Sequence, residues 1–275
     1  MSEPISQTTQ PPSLDELRHE IDAIDADMHG LLIRRGEIID RLIATKKTRE
    51  AGAFRPDREA DMMRRMVERH RGHLPLTTVE HIWREIISTF TTLQSGYTVH
   101  LDAAGDTVAM VDMARFYFGF AVPVAEADDA EDAIDAVAQA PCDLALVRLS
   151  AGAKPWWRAL GPRAQVMARL PFIRLGKRQA ATPALVVSRP LENVRPFDIV
   201  MLVADGARAE ISPLVDEAGG EIVLATSGEG RAMSALLAVP QGESATLMDA
   251  LIAKGVATHV AGGYFSPIVA HDRET

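Results

Sequence analysis

Between Leu17 and Glu59 the chain carries an apolar stripe too long for an ordinary globular helix, with cations set where a buried face does not normally accept them. Ile21, Ile24, Met28, Leu31, Leu32, Ile38, Ile39, Leu42 and Ile43 recur mostly three or four residues apart, and no proline interrupts them before Pro56. The spacing predicts one amphipathic helix from about Leu14 to Glu50, opened by Ser13 as N-cap with Glu16 completing a capping box. A rod about three times the average helix length cannot bury its own stripe, so it needs partners, a second copy of the chain among them. Arg35 and Lys46 are eleven residues apart and, at about 100° per residue, face the same side. Arg18 is rotated about 100° from Arg35. If one ligand is to meet all three, Arg18 must come from a neighbouring rod, which predicts a homodimer.

Ala51-Gly52-Ala53 breaks the rod, and Pro56 suits the first turn of a second helix over about 56–70, with Met62, Met63, Met66 and Val67 inward. After a turn at Gly72 to Pro75, Thr77 or Thr78 is expected to cap a third helix from about Val79 to Leu93. From Tyr97 onward strand-like and helix-like runs alternate. The fold class expected is therefore multi-domain: an all-α N-terminal part (long helix, short helix, helix, in an intertwined dimer) followed by an α/β region. The expected divisions are a disordered tail over 1–12, a helical domain over 13–96, an α/β region over 97–190 and a small α/β unit of the alternating kind over 191–275.

A formal charge of −9 argues against nucleic acid or an anionic membrane as partner, since both need a basic field. The acid is uneven. Residues 13–98 hold 14 Lys and Arg against 15 Asp and Glu, whereas the rest of the chain from Val99 holds 15 against 22. The near-neutral helical part thus carries the denser basic set. A single cysteine, Cys142, forms no internal disulfide and has no zinc-ligand spacing around it. With no apolar run of membrane-spanning length and a polar, proline-bearing start, the chain reads as cytoplasmic.

Arg18, Arg35, Lys46 and Arg58 are the cations of interest, with the run Arg55-Pro56-Asp57-Arg58-Glu59 beside them and Gln94 offering an amide. Arginines take carboxylates in bidentate fashion, and a carboxylate such as Glu59 accepts a hydroxyl proton. No nucleophile–base pair, phosphate loop or metal cluster accompanies them, so the set suits a small dianion with no cofactor or metal.

At these residues the chain resembles the all-helical class of chorismate mutase. The matching elements are LRxEIDxID at Leu17–Asp25, LLIRRGEII at Leu31–Ile39 with Lys46 eleven after Arg35, the pair Arg58-Glu59, and IWREIIS…LQ at Ile82–Gln94. The resemblance implies rearrangement of chorismate to prephenate in aromatic amino acid biosynthesis. It implies that Arg35 of one subunit and Arg18 of the other hold the two carboxylates. Lys46 and Gln94 would meet the ether oxygen, and Glu59 the ring hydroxyl with Arg58 in support. Two positions depart from the family: Arg55 stands where an Asp is frequent, and Phe90 where a Ser is frequent. A related lyase that removes pyruvate from isochorismate uses the same scaffold.

The following region faintly resembles prephenate dehydratase at ARFYFG (114–119), the run over 130–147, and LPFIRLG followed by TPALVVS. Where that family has its Thr-Arg-Phe motif, this chain has Leu170-Pro171-Phe172, so dehydratase activity is not expected of it. Residues 197–268 are expected to form a regulatory unit of the kind that senses amino acids, with the glycines at 228, 230, 262 and 263 in its loops. A bifunctional mutase–dehydratase and a non-catalytic sensor of chorismate-like dianions are the competing readings.

Overall fold

In a computed structural model, residues 12–45, 54–150, 152, 154–176, 178–227 and 232–270 are described. The chain divides into two compact units, Met1–Lys47 and Thr48–Thr275. The first contains helix α1 (Leu14–Thr45). Its start is the predicted capping box: the Ser13 N–H donates to Glu16 at 2.7 Å, and the Glu16 N–H donates to Ser13 Oγ at 3.2 Å. Hydrogen bonds to the Glu16 carboxyl from the Ser13 backbone and side chain hold it below its ordinary range. No residue of α1 is buried, and Leu17, Ile21, Ile24, Met28, Leu31, Leu32 and Ile38 are all exposed. The expected continuation of the helix to Glu50 lies outside the described residues.

The second unit opens with α2 (Pro56–Arg69), Pro56 standing in its first turn as predicted. Met63 and Met66 are buried on its inner face, and Met62 and Val67 pack partly against the same core. Helix α3 (Leu76–Gln94) starts three residues earlier than expected. Pro75 is its N-cap, and Thr77 and Thr78 fall inside the first turn without capping it. Proline just before a helix costs no hydrogen bond, because the first N–H groups have no helical acceptor in any case.

The rest is one nine-stranded sheet with helices on both faces. In chain order come β1 (Val99–Asp102), α4 (Thr107–Phe118), β2 (Val124–Ala127), α5 (Ala130–Gln139) and β3 (Leu144–Arg148). They are followed by β4 (Gln165–Leu170), the short β5 (Ile173–Arg174), β6 (Ala184–Ser188) and β7 (Ile199–Ala207). The chain closes with α6 (Arg208–Glu217), β8 (Glu221–Ser227), β9 (Ala232–Pro240), α7 (Ser244–Ala253), β10 (Ala257–Tyr264) and β11 (Ile268–Val269). The sheet order is β2-β1-β3-β6-β4-β10-β7-β9-β8, and β11 pairs with β5 separately.

At one end β2, β1 and β3 are parallel, as helical crossovers require. At the other, β7–α6–β8–β9–α7–β10 gives neighbours that are all antiparallel, the split βαβ arrangement of ferredoxin-like folds. Alternating elements there do not mean a parallel sheet: β9 inserts between β7 and β8. The division expected near residue 190 falls between β6 and β7, two strands of the same sheet.

Side-chain alternation along the strands sends residues to two faces. On β3, Ala145 and Val147 join α5 and the Trp156-Trp157 pair on one face, while Leu144 and Leu146 join α4 and α2 on the other. On β7, Met201 and Val203 continue the first face, and Val200 and Leu202 meet α6 and α7 on the second. The seam between the parallel and ferredoxin-like ends is closed by backbone approach. Gly262 of β10 has φ +111°, and a Cβ there would lie 2.3 Å from the Val166 carbonyl oxygen of β4. We expect Gly262→Ala to cost about 2–3 kcal/mol in chemical denaturation, from the strained φ and the clash together.

Candidate active site

Helix α3 buries a polar stripe. Glu80, Arg84, Ser88 and Thr91, spaced four, four and three apart, are its buried residues, while Ile82, Trp83 and Leu93 are exposed. The inversion has a physical reason in the charges that meet the stripe. Arg84 Nη1 donates to Glu59 Oε2 of α2 at 2.8 Å, and its Nε stands 4.0 Å from Glu80 Oε1 one turn earlier. On the other side of Glu80, Arg178 brings its Nη1 to 3.1 Å, with both side chains almost wholly buried (2% and 0% exposed). Arg178 also donates to the Ile173 carbonyl. The result is an alternating chain, Glu59, Arg84, Glu80, Arg178, joining α2, α3 and the segment between β5 and β6.

Tyr117 of α4 lies between the two guanidinium groups, at 5.4 Å from Arg84 and 5.6 Å from Arg178, and Arg178 also stacks over Phe116 at 5.0 Å. Burial pushes the carboxyls of Glu59 and Glu80 above their ordinary range, and their arginine partners oppose that rise. Burial also raises the Tyr117 phenol, and Glu80 adds to the effect. The tyrosine therefore stays neutral at any ordinary pH.

Glu59 and Arg84 line a small recess. Its other walls are mostly apolar, supplied by Phe54, Ala60, Phe118, Leu170, Phe172 and Phe265 among others. The elements that make it are the first turn of α2, the middle of α3, the end of α4, and strands β4 and β6.

The sequence-predicted residues are distributed as follows. Arg18 is exposed on α1 and pairs with Asp15 at 3.0 Å. Arg35 is half-buried on the same helix, seventeen residues on, which is about 25 Å along the axis. One copy of α1 does not bring both to one small ligand. Lys46 lies outside the described residues. Arg55 is the N-cap of α2 and donates to the Phe54 carbonyl at 3.0 Å. Arg58 is exposed, and the cation in contact with Glu59 is Arg84. Gln94, at the end of α3, donates to the carbonyl of Phe90 at 2.9 Å. It sits about 15 Å along the helix from Arg84, so the unit does not bring Gln94 and Glu59 to one point.

Sequence reasoning assigns no role to Arg84, Glu80, Tyr117 or Arg178. The available signal was the polar repeat Glu80, Arg84, Ser88, Thr91 inside an otherwise apolar helix, visible only when polar residues are tested for helical period as apolar ones are. Among the described residues no group of His, Cys, Asp and Glu is arranged to hold a metal, and no helix is long and apolar enough to cross a membrane.

The Glu80–Arg178 pair yields a stability test. Removing one partner of a buried pair leaves the other charge uncompensated, so Arg178→Met is expected to lower unfolding free energy by about 3–5 kcal/mol, measured by denaturant titration.

No curated protein sequence matches the chain at a significant level. Among solved structures, the chain is similar to one titled as GqqA, a novel type of quorum quenching acylase, at 15% identity and TM-score 0.44, covering 62% of this chain and 95% of that one. A prephenate dehydratase from Streptococcus mutans overlaps at 12% identity and TM-score 0.41, covering 64% and 100%. A prephenate dehydratase in complex with L-Phe from Arthrobacter aurescens overlaps at 12% identity and TM-score 0.44, covering 61% and 90%. At TM-scores below 0.5 these overlaps do not establish a common fold. Residues 17–95 match the model of the family described as Chorismate mutase type II. The matched span runs through α1, α2 and α3.

Proposed function

We propose that this chain is a chorismate mutase, converting chorismate to prephenate within a homodimer. The observation that carries the reading is the family match over residues 17–95, which contains every residue assigned a role below. The reaction is a unimolecular pericyclic shift. It needs no nucleophile and no metal, only a held chair conformer and stabilisation of the charge that grows on the breaking C–O oxygen. Lys46 as a cation and Gln94 as an amide donor supply that stabilisation. Arg35 and the second copy's Arg18 hold the carboxylates; Glu59, which one copy does not bring to Gln94, is the expected partner of the ring hydroxyl in the assembled dimer, and Arg58 and Arg55 lie next to it in sequence.

Two features support assembly from two copies. The apolar stripe of α1 is exposed from Leu17 to Ile38, and apolar residues of α3 are exposed beside its buried polar stripe. An uncovered stripe of this length is a poor surface for a monomer in water. Arg18 and Arg35 are also too far apart along one rod to grip one dianion.

The tests use the full chain. Purified protein is expected to consume chorismate with stoichiometric prephenate and to leave isochorismate without pyruvate release; no prephenate at any enzyme concentration would overturn the reading. Lys46→Ala is expected to lower kcat by about 10²–10³-fold, in line with loss of one donor at a developing oxyanion. Mixing Arg18→Ala chains with Lys46→Ala chains restores one intact site per heterodimer, so turnover is expected to rise well above that of either variant. Absence of recovery in isolated heterodimers would reject the shared site.

A further inference from the structure

We propose that Glu80 is a positioning residue of the mutase: it is the second acceptor of Arg84, and by drawing off that guanidinium when substrate binds it leaves Glu59 its full charge for the ring hydroxyl. The inference rests on the mutase reading and deepens it at one residue to which that reading gives no role.

Burial separates the parts that Glu59 and Glu80 play. Glu59 is the most exposed member of the alternating chain at 19%, Arg84 follows at 7%, and Glu80 is wholly buried. A ligand that meets this chain therefore meets it at Glu59, and Glu80 acts only through Arg84. In the arrangement described, Glu59 Oε2 accepts Arg84 Nη1 at 2.8 Å. Whether a hydroxyl takes that oxygen or its neighbour, it bonds to a carboxylate whose charge a guanidinium already offsets, and a charge-assisted bond is the stronger competitor.

Arg84 and Glu80 each lack what the other offers. Arg84 Nε is a buried donor with no hydrogen-bond partner among the described residues, and Glu80 Oε1 is a buried acceptor with none. They stand 4.0 Å apart, four residues apart on one face of α3. Closing that gap by about 1 Å makes a hydrogen bond and satisfies both atoms. Glu80 keeps its other partner meanwhile, because Arg178 Nη1 lies against Oε2, at 3.1 Å, and leaves Oε1 to Arg84. The guanidinium thus has two carboxylates within a short movement, and a donor arriving at Glu59 tips it from one to the other. Charges alternate in the same order in both positions, so no proton is taken up or released.

The test measures KM and kcat of the full chain for chorismate and for its analogue with hydrogen in place of the ring hydroxyl, Ki replacing KM where the analogue does not turn over. In Glu80→Gln the second acceptor is neutral, so Arg84 stays with Glu59 and the cost falls on the hydroxyl. We expect KM for chorismate to rise at least about tenfold, or about 1.4 kcal/mol, while the value for the deoxy analogue changes less than about twofold. The hydroxyl is not a reacting group, so its bond is the same in ground and transition states and kcat stays within about twofold. Glu80→Asp keeps the charge that Arg178 needs and withdraws the acceptor from Arg84 by one C–C bond, about 1.5 Å. It should show the same hydroxyl-selective rise, and it is readable where Glu80→Gln does not fold. An equal rise for both compounds is a structural effect and overturns the proposal, as does no rise for chorismate in either variant. Failure of the unaltered chain to form prephenate overturns the mutase reading and this proposal with it, whereas prephenate formation with unselective effects overturns this proposal alone.

Discussion

The alternating chain Glu59, Arg84, Glu80, Arg178 is the interaction on which the placement of α2 and α3 depends. Removing four charged groups from water is expensive, and their mutual attraction offsets this only where the geometry is good. Here three separate segments must be in place at once: the first turn of α2 for Glu59, one face of α3 for Glu80 and Arg84, and the backbone after β5 for Arg178. A helix buried by hydrophobic contact tolerates sliding or rotation by part of a turn. A helix whose buried face carries a carboxylate and a guanidinium four residues apart does not, because rotation strands both charges. The chain therefore fixes the rotation of α3 more sharply than packing against α4 does, and Tyr117 fills the gap between the two guanidinium groups with a ring that stays uncharged.

The same chain explains why the α/β unit extends back to α2. Residues of α2 share the hydrophobic cluster of β1, β3, β4 and β6, with Met63 fully buried in it. Arg64 of α2 adds a second tie, donating at 2.9 Å to Asp198 just before β7. Asp198 in turn accepts the Ser266 N–H at 2.9 Å, so one carboxylate connects α2, β7 and the end of β10. Both ties are polar, and both bring together side chains from segments distant in sequence.

Much of this was legible in local chemistry. The Ser13–Glu16 box, Pro56 at the head of α2, the buried methionines and most of the strands follow from capping, proline geometry and alternation, which act over a few residues. What was not legible depends on partners far apart in sequence. Glu80 and Arg178 are 98 positions apart, and nothing in either neighbourhood announces a buried charge. The antiparallel pairing of β7, β8, β9 and β10 was hidden for a related reason: a strand–helix alternation is compatible with a parallel sheet or a split βαβ, and only the insertion of β9 between β7 and β8 decides. For the candidate site, sequence reasoning chose Arg18 and Arg35 on α1, Arg58 and Glu59 on α2, and Gln94 on α3. It did not give the partner of Glu59, because an arginine on an amphipathic helix is ordinarily a solvated charge.

Glu59 is where the proposed mutase role meets the alternating chain. On the mutase reading it accepts a neutral hydroxyl, while in this structure it accepts a charged guanidinium at 2.8 Å. Hydrogen bonds to charged groups contribute about 1.5–3 kcal/mol and neutral ones about 0.5–1.5 kcal/mol. Exchanging Arg84 for a hydroxyl is therefore uphill unless Arg84 gains another acceptor. Glu80 is the acceptor at hand, and its nearest oxygen, at 4.0 Å from Arg84 Nε, is about 1 Å beyond a hydrogen bond. A shift of Arg84 by that distance toward Glu80 would release Glu59 without leaving a buried cation unpaired. On the mutase reading the alternating chain would thus supply the slack that a hydroxyl at Glu59 requires, with the Tyr117 ring 5.4 Å from Arg84 beside it.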